Sequence, residues 1–258
     1  MKDLKYALRE GLPIIGSWLN SGSPVIAELM AASGFDFLCV DVEHSAVDLP
    51  QTQILFQAIR SGNFNCAPIV RLHGVDYSFV KRYLDAGARG VVAPLVCSKE
   101  EAKLLVKATK YPPEGMRGLG FCRANDYGMR LMEETNGAND GILIAVQVEH
   151  IEAVRQIEDI LSVEGIDAVF IGPYDLSASM GIPGEFEHPD FVLAQKSILE
   201  ACLRHHVFPG IHIVQPKPDE AARAHSEGYR FIAYSLDITM LTNACLTGLT
   251  EIRKKLIL

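Results

Sequence analysis

Ala168-Val169-Phe170-Ile171-Gly172-Pro173-Tyr174-Asp175-Leu176-Ser177-Ala178-Ser179 joins a strand pattern to a helix pattern within one short stretch. The β-branched and aromatic run at its start reads as a buried strand. Gly172-Pro173 stops that strand, and Asp175 follows as the N-cap or a first-turn residue of a helix. Such a junction sets a carboxylate beside free backbone N–H groups. The N–H groups attract an anion and the carboxylate attracts a cation. Taken alone, the stretch is equally a capped turn with no further role.

The same junction recurs along the chain. After a brief helix over 4–10, strands are expected at 13–18, 35–41, 67–71, 90–95, 142–148, 168–171, 208–214 and 231–234. Helices are expected over 24–32, 49–60, 77–86, 99–109, 152–161, 191–206 and 219–227, with an extended last helix over 238–255. Ser23 is the candidate N-cap of the 24–32 helix, with Pro24 at its first position. Ser33-Gly34-Phe35-Asp36, Ala86-Gly87-Ala88-Arg89, Glu164-Gly165-Ile166-Asp167 and Glu227-Gly228-Tyr229-Arg230 each precede an apolar strand. The glycine in each is expected to end the preceding helix in the left-handed conformation, which a Cβ disfavours. Eight strands alternating with helices indicate parallel pairing, and the count favours a closed (β/α)8 TIM barrel over an open sheet. No linker composition divides the chain, so residues 1–258 are read as one domain. The interval 111–140 breaks the rhythm and reads as a long functional loop; because it follows strand four and its helix, it is expected to reach a neighbouring subunit rather than its own site.

Composition narrows the function. The net charge of −8 argues against a nucleic-acid or anionic-membrane surface. The six cysteines are scattered with no CxxC pair, as expected of reduced thiols in a cytoplasmic protein. The stretch Met1-Lys2-Asp3-Leu4-Lys5 lacks the apolar segment of a signal peptide, and no run approaches membrane-spanning length.

Barrel chemistry sits at the C-terminal ends of the strands. Read in order, those ends carry Trp18; Asp41, Glu43 and His44; Arg71; Gln147 and Glu149; and Asp175. Each has an ordinary structural reading as a cap, an ion-pair partner or a core donor, but the fold brings them to one rim. Glu149 and Asp175 follow adjacent strands, and two carboxylates with water or substrate oxygens suit an octahedral Mg2+ or Mn2+. No Cys/His cluster has zinc-ligand spacing. His44 is the candidate base near neutral pH, with a carboxylate such as Asp85 as the candidate to orient it. Arg71 is the candidate cation for a developing oxyanion.

Asp41-Val42-Glu43-His44, Ile69-Val70-Arg71, Asp85-Ala86-Gly87-Ala88, Val146-Gln147-Val148-Glu149 and Ile171-Gly172-Pro173-Tyr174-Asp175-Leu176-Ser177-Ala178 resemble, in order and spacing, the motifs of the HpcH/HpaI aldolases. The segment Tyr111-Pro112-Pro113-Glu114-Gly115-Met116-Arg117-Gly118 also resembles that family, and the likeness runs from Gly16-Ser17-Trp18 to the final helix. The resemblance implies a class II pyruvate aldolase that reversibly cleaves a 4-hydroxy-2-oxo acid to pyruvate and an aldehyde. It implies Glu149 and Asp175 as ligands of a divalent cation (Mg2+, Mn2+ or Co2+). Gln147, Trp18 and the backbone around Tyr174 and Asp175 become substrate contacts, Arg71 the enolate stabiliser, and His44 tuned by Asp85 the proton carrier. It also implies a hexamer that exchanges terminal helices. The sequence itself offers the apolar residues Met240, Leu241, Ala244, Leu246, Leu249 and Ile252 on the last helix, and such a face is usually packed on its own barrel. Tyr174 departs from the small residue common in the family, and Ala233-Tyr234-Ser235-Leu236-Asp237 departs from its Val-Gly pattern; both bear on pocket shape. The competing readings are a related phosphoenolpyruvate- or citrate-lyase-like C–C lyase, for which no glycine-rich phosphate loop is present, and a non-catalytic metabolite-binding barrel.

Overall fold

Gly34, Gly87, Gly165 and Gly228 adopt φ between +100° and +111°, the left-handed conformation expected of glycines that end a helix before a strand. The computed structural model describes residues 3–256. Its strands are β1 (Ile14–Leu19), β2 (Phe37–Asp41), β3 (Ala67–Arg71), β4 (Gly90–Ala93), β5 (Leu143–Val148), β6 (Ala168–Ile171), β7 (Phe208–Ile213) and β8 (Phe231–Leu236). They pair in sequence order, all parallel, and β8 returns to β1, closing the barrel. The (β/α)8 expectation holds.

The helices between strands are α2 (Pro24–Ala32), α3 (Leu49–Gly62), α4 (Tyr77–Asp85), α5 (Lys99–Thr109), the pair α7 (Ile151–Arg155) and α8 (Ile157–Leu161), α9 (Pro173–Ser179), α10 (Pro189–His205) and α11 (Pro218–Ser226). The side chains of Ser23, Asp48, Asp76 and Ser98 cap α2, α3, α4 and α5, each accepting a backbone N–H of the first turn. A short α1 (Leu4–Arg9) precedes β1, and α12 (Asp237–Leu256) follows β8.

Alternate strand residues face two cores. Outside the barrel, Leu38, Val40, Val70, Ile144, Val146, Val169 and Ile171 pack against the helices. Inside, Trp18, Phe37, Ile69, Val92, Leu143, Phe170 and Phe231 fill the bore, and Leu4 and Leu8 of α1 plug its N-terminal mouth. Lys5 locks the plug through Asp167 at 2.9 Å. Trp18 and Phe170 stack with centroids 4.9 Å apart, and Phe170 meets Phe231 edge-on at 5.2 Å. These rings form a floor beneath the rim at the C-terminal ends of the strands, each pair adding about 0.5–1.5 kcal/mol beyond simple burial.

Two expectations change. The interval 111–140 is not structureless: residues Arg123–Gly128 form a 3₁₀ segment and α6 occupies Leu131–Gly141. Glu133 and Glu134 favour the start of α6, but it buries only Ala138, so no apolar stripe announces it. Beyond its first turn, where Met240 meets the core, the last helix also does not pack on its own barrel. Asp237 holds its start by accepting the N–H groups of Asn20 (2.9 Å) and Ser21 (3.0 Å), whereas residues 241–256 are all exposed.

Candidate active site

Asp41, at the end of β2, is completely buried, and an ionised carboxylate there requires partners. It has five. Arg71 donates Nε to Oδ1 at 3.0 Å and a terminal nitrogen to Oδ2 at 2.5 Å. Asn20 donates to Oδ2 at 2.7 Å, and the backbone N–H groups of Glu43 and His44 reach Oδ1 at 3.0 and 3.2 Å. Burial pushes the Asp41 pKa up, but the Arg71 bonds and charge with the two N–H groups outweigh it and hold the carboxyl below its ordinary range. The register pairs Asp41 directly with Arg71, so the β2–β3 ladder itself delivers this bidentate pair.

Arg71 is thereby fixed. Its side chain is 12% exposed, its remaining terminal nitrogen lies 3.4 Å from Glu43 Oε2, and its guanidinium carbon sits 5.9 Å above the Trp18 ring. Glu43 is pushed up in pKa by burial and by the charge of Glu149, with Arg71 opposing. His44 follows on the same turn with an imidazole 62% exposed, Nε2 3.9 Å from Glu43 Oε2.

Across the rim, Glu149 follows β5 and is only 4% exposed. Oε1 accepts the Leu95 N–H at 2.8 Å, from a turn after β4 where Leu95 adopts φ +51°. Oε2 meets Gln147 Nε2, and Gln147 Oε1 is buried with no hydrogen-bond partner. Burial raises the Glu149 pKa, Gln147 and Leu95 oppose it, and the charge of Asp175 raises it further. Asp175 is exposed in the first turn of α9, whose N-cap is Gly172. A Cβ on Gly172 would lie 2.9 Å from Glu149 Oε2 and 3.0 Å from its Cβ, so glycine lets the β6–α9 turn press against the Glu149 carboxylate. The backbone N–H groups of Tyr174 and Asp175 donate to no backbone carbonyl.

These residues fit a divalent cation. A buried carboxylate beside a second carboxylate and an unused amide oxygen is a set of hard oxygen donors that a positive charge relieves. Among the described residues no group of three or more His, Cys, Asp or Glu side chains forms a cage. The protein therefore offers Glu149 and Asp175, and the remaining positions fall to small oxygen ligands.

One expected neighbour stands elsewhere. Asp85 ends α4, which runs from the catalytic rim back to the opposite mouth of the barrel, and within this chain it makes no contact with His44. It binds Arg117 at 2.9 Å and Lys81 at 3.0 Å. Arg117 is fully buried under the Tyr111 ring, 4.5 Å from its centroid. Sequence spacing missed three residues. Asn20 lies just past β1, Leu95 acts only through its backbone, and His212 of β7 stacks on Trp18 with centroids 4.9 Å apart. The only signal for His212 was an imidazole in an otherwise apolar strand, Phe208–Ile213.

No described helix is long and apolar enough to cross a membrane. The profile of the HpcH/HpaI aldolase/citrate lyase family matches residues 15–244. A 4-hydroxy-2-oxo-heptane-1,7-dioate aldolase of Klebsiella pneumoniae is 38% identical over 92% of this chain and 88% of its own. A hydroxypyruvate/pyruvate aldolase of Sagittula stellata is 39% identical over 96% of each chain. The crystal structure of an HpcH/HpaI aldolase/citrate lyase family protein from Burkholderia cenocepacia superposes with a TM-score of 0.92 at 35% identity, covering 98% of this chain and 100% of that one. The chain belongs to the HpcH/HpaI aldolase/citrate lyase family and is an enzyme of the pyruvate-aldolase kind.

Proposed function

We propose that the enzyme cleaves 4-hydroxy-2-oxo acids to pyruvate and an aldehyde at the rim built by Arg71, Gln147, Glu149 and Asp175, and that His44 carries the protons. The observation that carries this reading is the pairing of a largely buried, locked guanidinium with a desolvated carboxylate across the same mouth. In the cleavage direction the 4-hydroxyl loses its proton, the C3–C4 bond breaks, and its electron pair passes into the pyruvate enolate as the aldehyde leaves. The enolate then takes a proton at C3 to give pyruvate. A divalent cation held by Glu149 and Asp175 supplies Lewis acidity toward the 2-oxo acid; Mg2+, Mn2+ and Co2+ all suit the donor set.

The chain's own residues supply the rest. Arg71 faces the developing oxyanion and, because Asp41 already fixes its geometry, needs no reorganisation; one such donor is worth about 3 kcal/mol. Gln147 and the N–H groups of Tyr174 and Asp175 bind the carboxylate of pyruvate, and Trp18 closes the floor. His44 is exposed enough to exchange protons with solvent and contributes about 10²- to 10⁴-fold as a general base. Asp85, on the opposite mouth of its own barrel, can orient only the His44 of a neighbouring protomer. The exposed apolar positions Leu241, Leu246, Leu249 and Ile252 of α12 support a homo-oligomer built on that helix, a hexamer in the reading from resemblance.

The test is pyruvate release from a 4-hydroxy-2-oxo acid, with metal affinity measured in parallel. Glu149→Ala and Asp175→Ala are expected to abolish cation-dependent turnover, and His44→Ala to bind the cation normally but turn over at least about 10²-fold more slowly. Full activity in either carboxylate variant, or after exhaustive chelation, refutes the assignment.

A further inference from the structure

His212 has no part in the roles assigned above, yet the fold takes particular care of it. Its ring lies inside the barrel, stacked on Trp18 at 26° and tilted against Phe170 with centroids 6.4 Å apart. One ring nitrogen, Nε2, lies 3.1 Å from the carbonyl oxygen of Ser235. A carbonyl only accepts, so Nε2 carries the proton of the neutral ring and Nδ1 presents a bare lone pair.

That tautomer is built in by strain. Ser235 adopts φ +55°, which a residue with a Cβ rarely occupies, at the point where the β1–β8 register shifts between Gly16 and Trp18. The twist brings the Ser235 carbonyl to both Ser17 Oγ, at 3.1 Å, and His212 Nε2, while Ser235 Oγ donates to the Val214 carbonyl at 3.0 Å. Burial, with the charge of Arg71 adding to it, lowers the His212 pKa to about 4, so the ring is neutral near neutral pH. Nδ1 makes no hydrogen bond to any described residue.

The ring also has an opening. A cavity of about 660 Å³ lies over β7 between α10 and α11 and reaches Tyr174 of the β6–α9 turn, with His212 and Gln215 in its lining. The ring is tied to the rim through Trp18, on which it stacks and over which the Arg71 guanidinium carbon lies at 5.9 Å. Pro173, Phe186 and Ile213 contribute apolar wall to the cavity, whereas Lys196 of α10 and Glu220 and Arg223 of α11 make part of the lining polar. Beside the Trp18 and Phe170 rings, an acceptor with no partner is a selector: it rewards a ligand group that donates and leaves an alkyl group unrewarded.

We propose that His212 Nδ1 is a specificity-determining acceptor that receives a hydrogen bond from a hydroxyl on the aldehyde half of the substrate. The class selected is the hydroxy-aldehydes, in preference to unsubstituted alkyl aldehydes of the same size. The inference rests on the pyruvate-aldolase reading, because the aldehyde meets the enolate at this mouth.

The test compares two aldehydes of equal heavy-atom count, glycolaldehyde and propanal, as acceptors of pyruvate in the cation-loaded full-length enzyme. The quantity read is the ratio of their kcat/KM values. Both aldehydes capture the same enolate, so any effect of a substitution on enolisation cancels in the ratio. In the unsubstituted enzyme the ratio is expected to favour glycolaldehyde. His212→Leu, which keeps the bulk and removes the acceptor, is expected to lower it about 10- to 100-fold. His212→Asn, whose side-chain oxygen replaces Nδ1, is expected to retain it within about threefold. An unsubstituted enzyme with no preference overturns the proposal without reference to any variant. So does a ratio unchanged in His212→Leu, or one that falls as far in His212→Asn, which assigns the effect to packing. Failure of the parent reading looks different: the unsubstituted enzyme then consumes pyruvate with neither aldehyde and exchanges none of its methyl protons.

Discussion

Replacing Gly172 by alanine tests how tightly the turn after β6 presses on the Glu149 carboxylate, the proposed metal ligand. Gly172 has φ −95° and ψ 91°, a conformation open to alanine, so the backbone itself tolerates the change. The added Cβ, however, would lie 3.0 Å from the Cβ of Glu149 and 2.9 Å from its Oε2. Carbon atoms rest at about 3.5–4.0 Å, so one side must yield by roughly 0.5–1 Å. Glu149 is tied on its other side to the Leu95 N–H at 2.8 Å, and it follows β5, whose residues are all buried. The displacement therefore falls on the carboxylate. A misplacement near 1 Å at a reacting centre costs about 10²-fold, and overpacking costs about 1–3 kcal/mol of stability. Gly172→Ala is expected to lose about 10- to 100-fold in kcat/KM for pyruvate release, with weaker Mn2+ binding by calorimetry and a cooperative, modestly lowered melting transition. Gly137→Ala is the control: it sits exposed in α6 with open space around its Cβ position, and it should gain about 0.5–1 kcal/mol with activity unchanged. Parental metal affinity and turnover in Gly172→Ala would falsify the close-packed description of this turn.

Three further outcomes follow from the same geometry. Asp41→Ala leaves the Arg71 guanidinium without its bidentate partner and is expected to cost about 3 kcal/mol in denaturant unfolding near neutral pH. Because the folded Asp41 pKa lies below its ordinary value, that difference is present at neutral pH and shrinks as pH falls through the lowered folded value; a gap that persists at full strength in strong acid contradicts it. His212 has the opposite charge type: a base whose folded pKa is depressed from 6.5 to about 4 contributes stability present above 6.5 and lost as pH falls toward 4. His212→Leu should flatten that limb of the stability–pH curve, a contribution of up to about 3 kcal/mol, and an unaltered limb places the titration elsewhere. Leu249→Asp combined with Ile252→Asp on α12 should shift sedimentation to smaller species with the far-ultraviolet dichroism preserved, whereas an unchanged sedimentation coefficient removes α12 from the assembly surface.

The barrel was legible because local chemistry and long-range order agree. Gly34, Gly87, Gly165 and Gly228 mark helix ends where only glycine is comfortable, and the strands after them are apolar because both of their faces are buried. The rim was legible for a related reason, since a polar residue that ends an apolar strand of a barrel lands at one mouth. What the sequence concealed depends on distance and direction. Asp85 belongs to a recognisable motif, but motif order does not say that α4 carries it to the far mouth, where Arg117 and Lys81 hold it. Leu95 binds Glu149 through a backbone N–H, which no side-chain pattern encodes. His212 acquires its meaning from Trp18 and a strained Ser235, residues remote in sequence and adjacent only once the barrel closes. Helix α6 lacks an apolar stripe, and α12 has one that its own barrel does not cover.

The most direct measurement of the central claim is proton exchange at the pyruvate methyl group in D2O, followed by NMR with no aldehyde present. If Arg71, Glu149 and Asp175 form an enolising centre, exchange proceeds with Mg2+, Mn2+ or Co2+, stops on chelation and resumes when the cation is restored. It falls about 10²- to 10³-fold in Arg71→Ala, in proportion to the lost oxyanion donor. Exchange that survives chelation, or its absence from an enzyme that demonstrably binds both cation and pyruvate, contradicts the account.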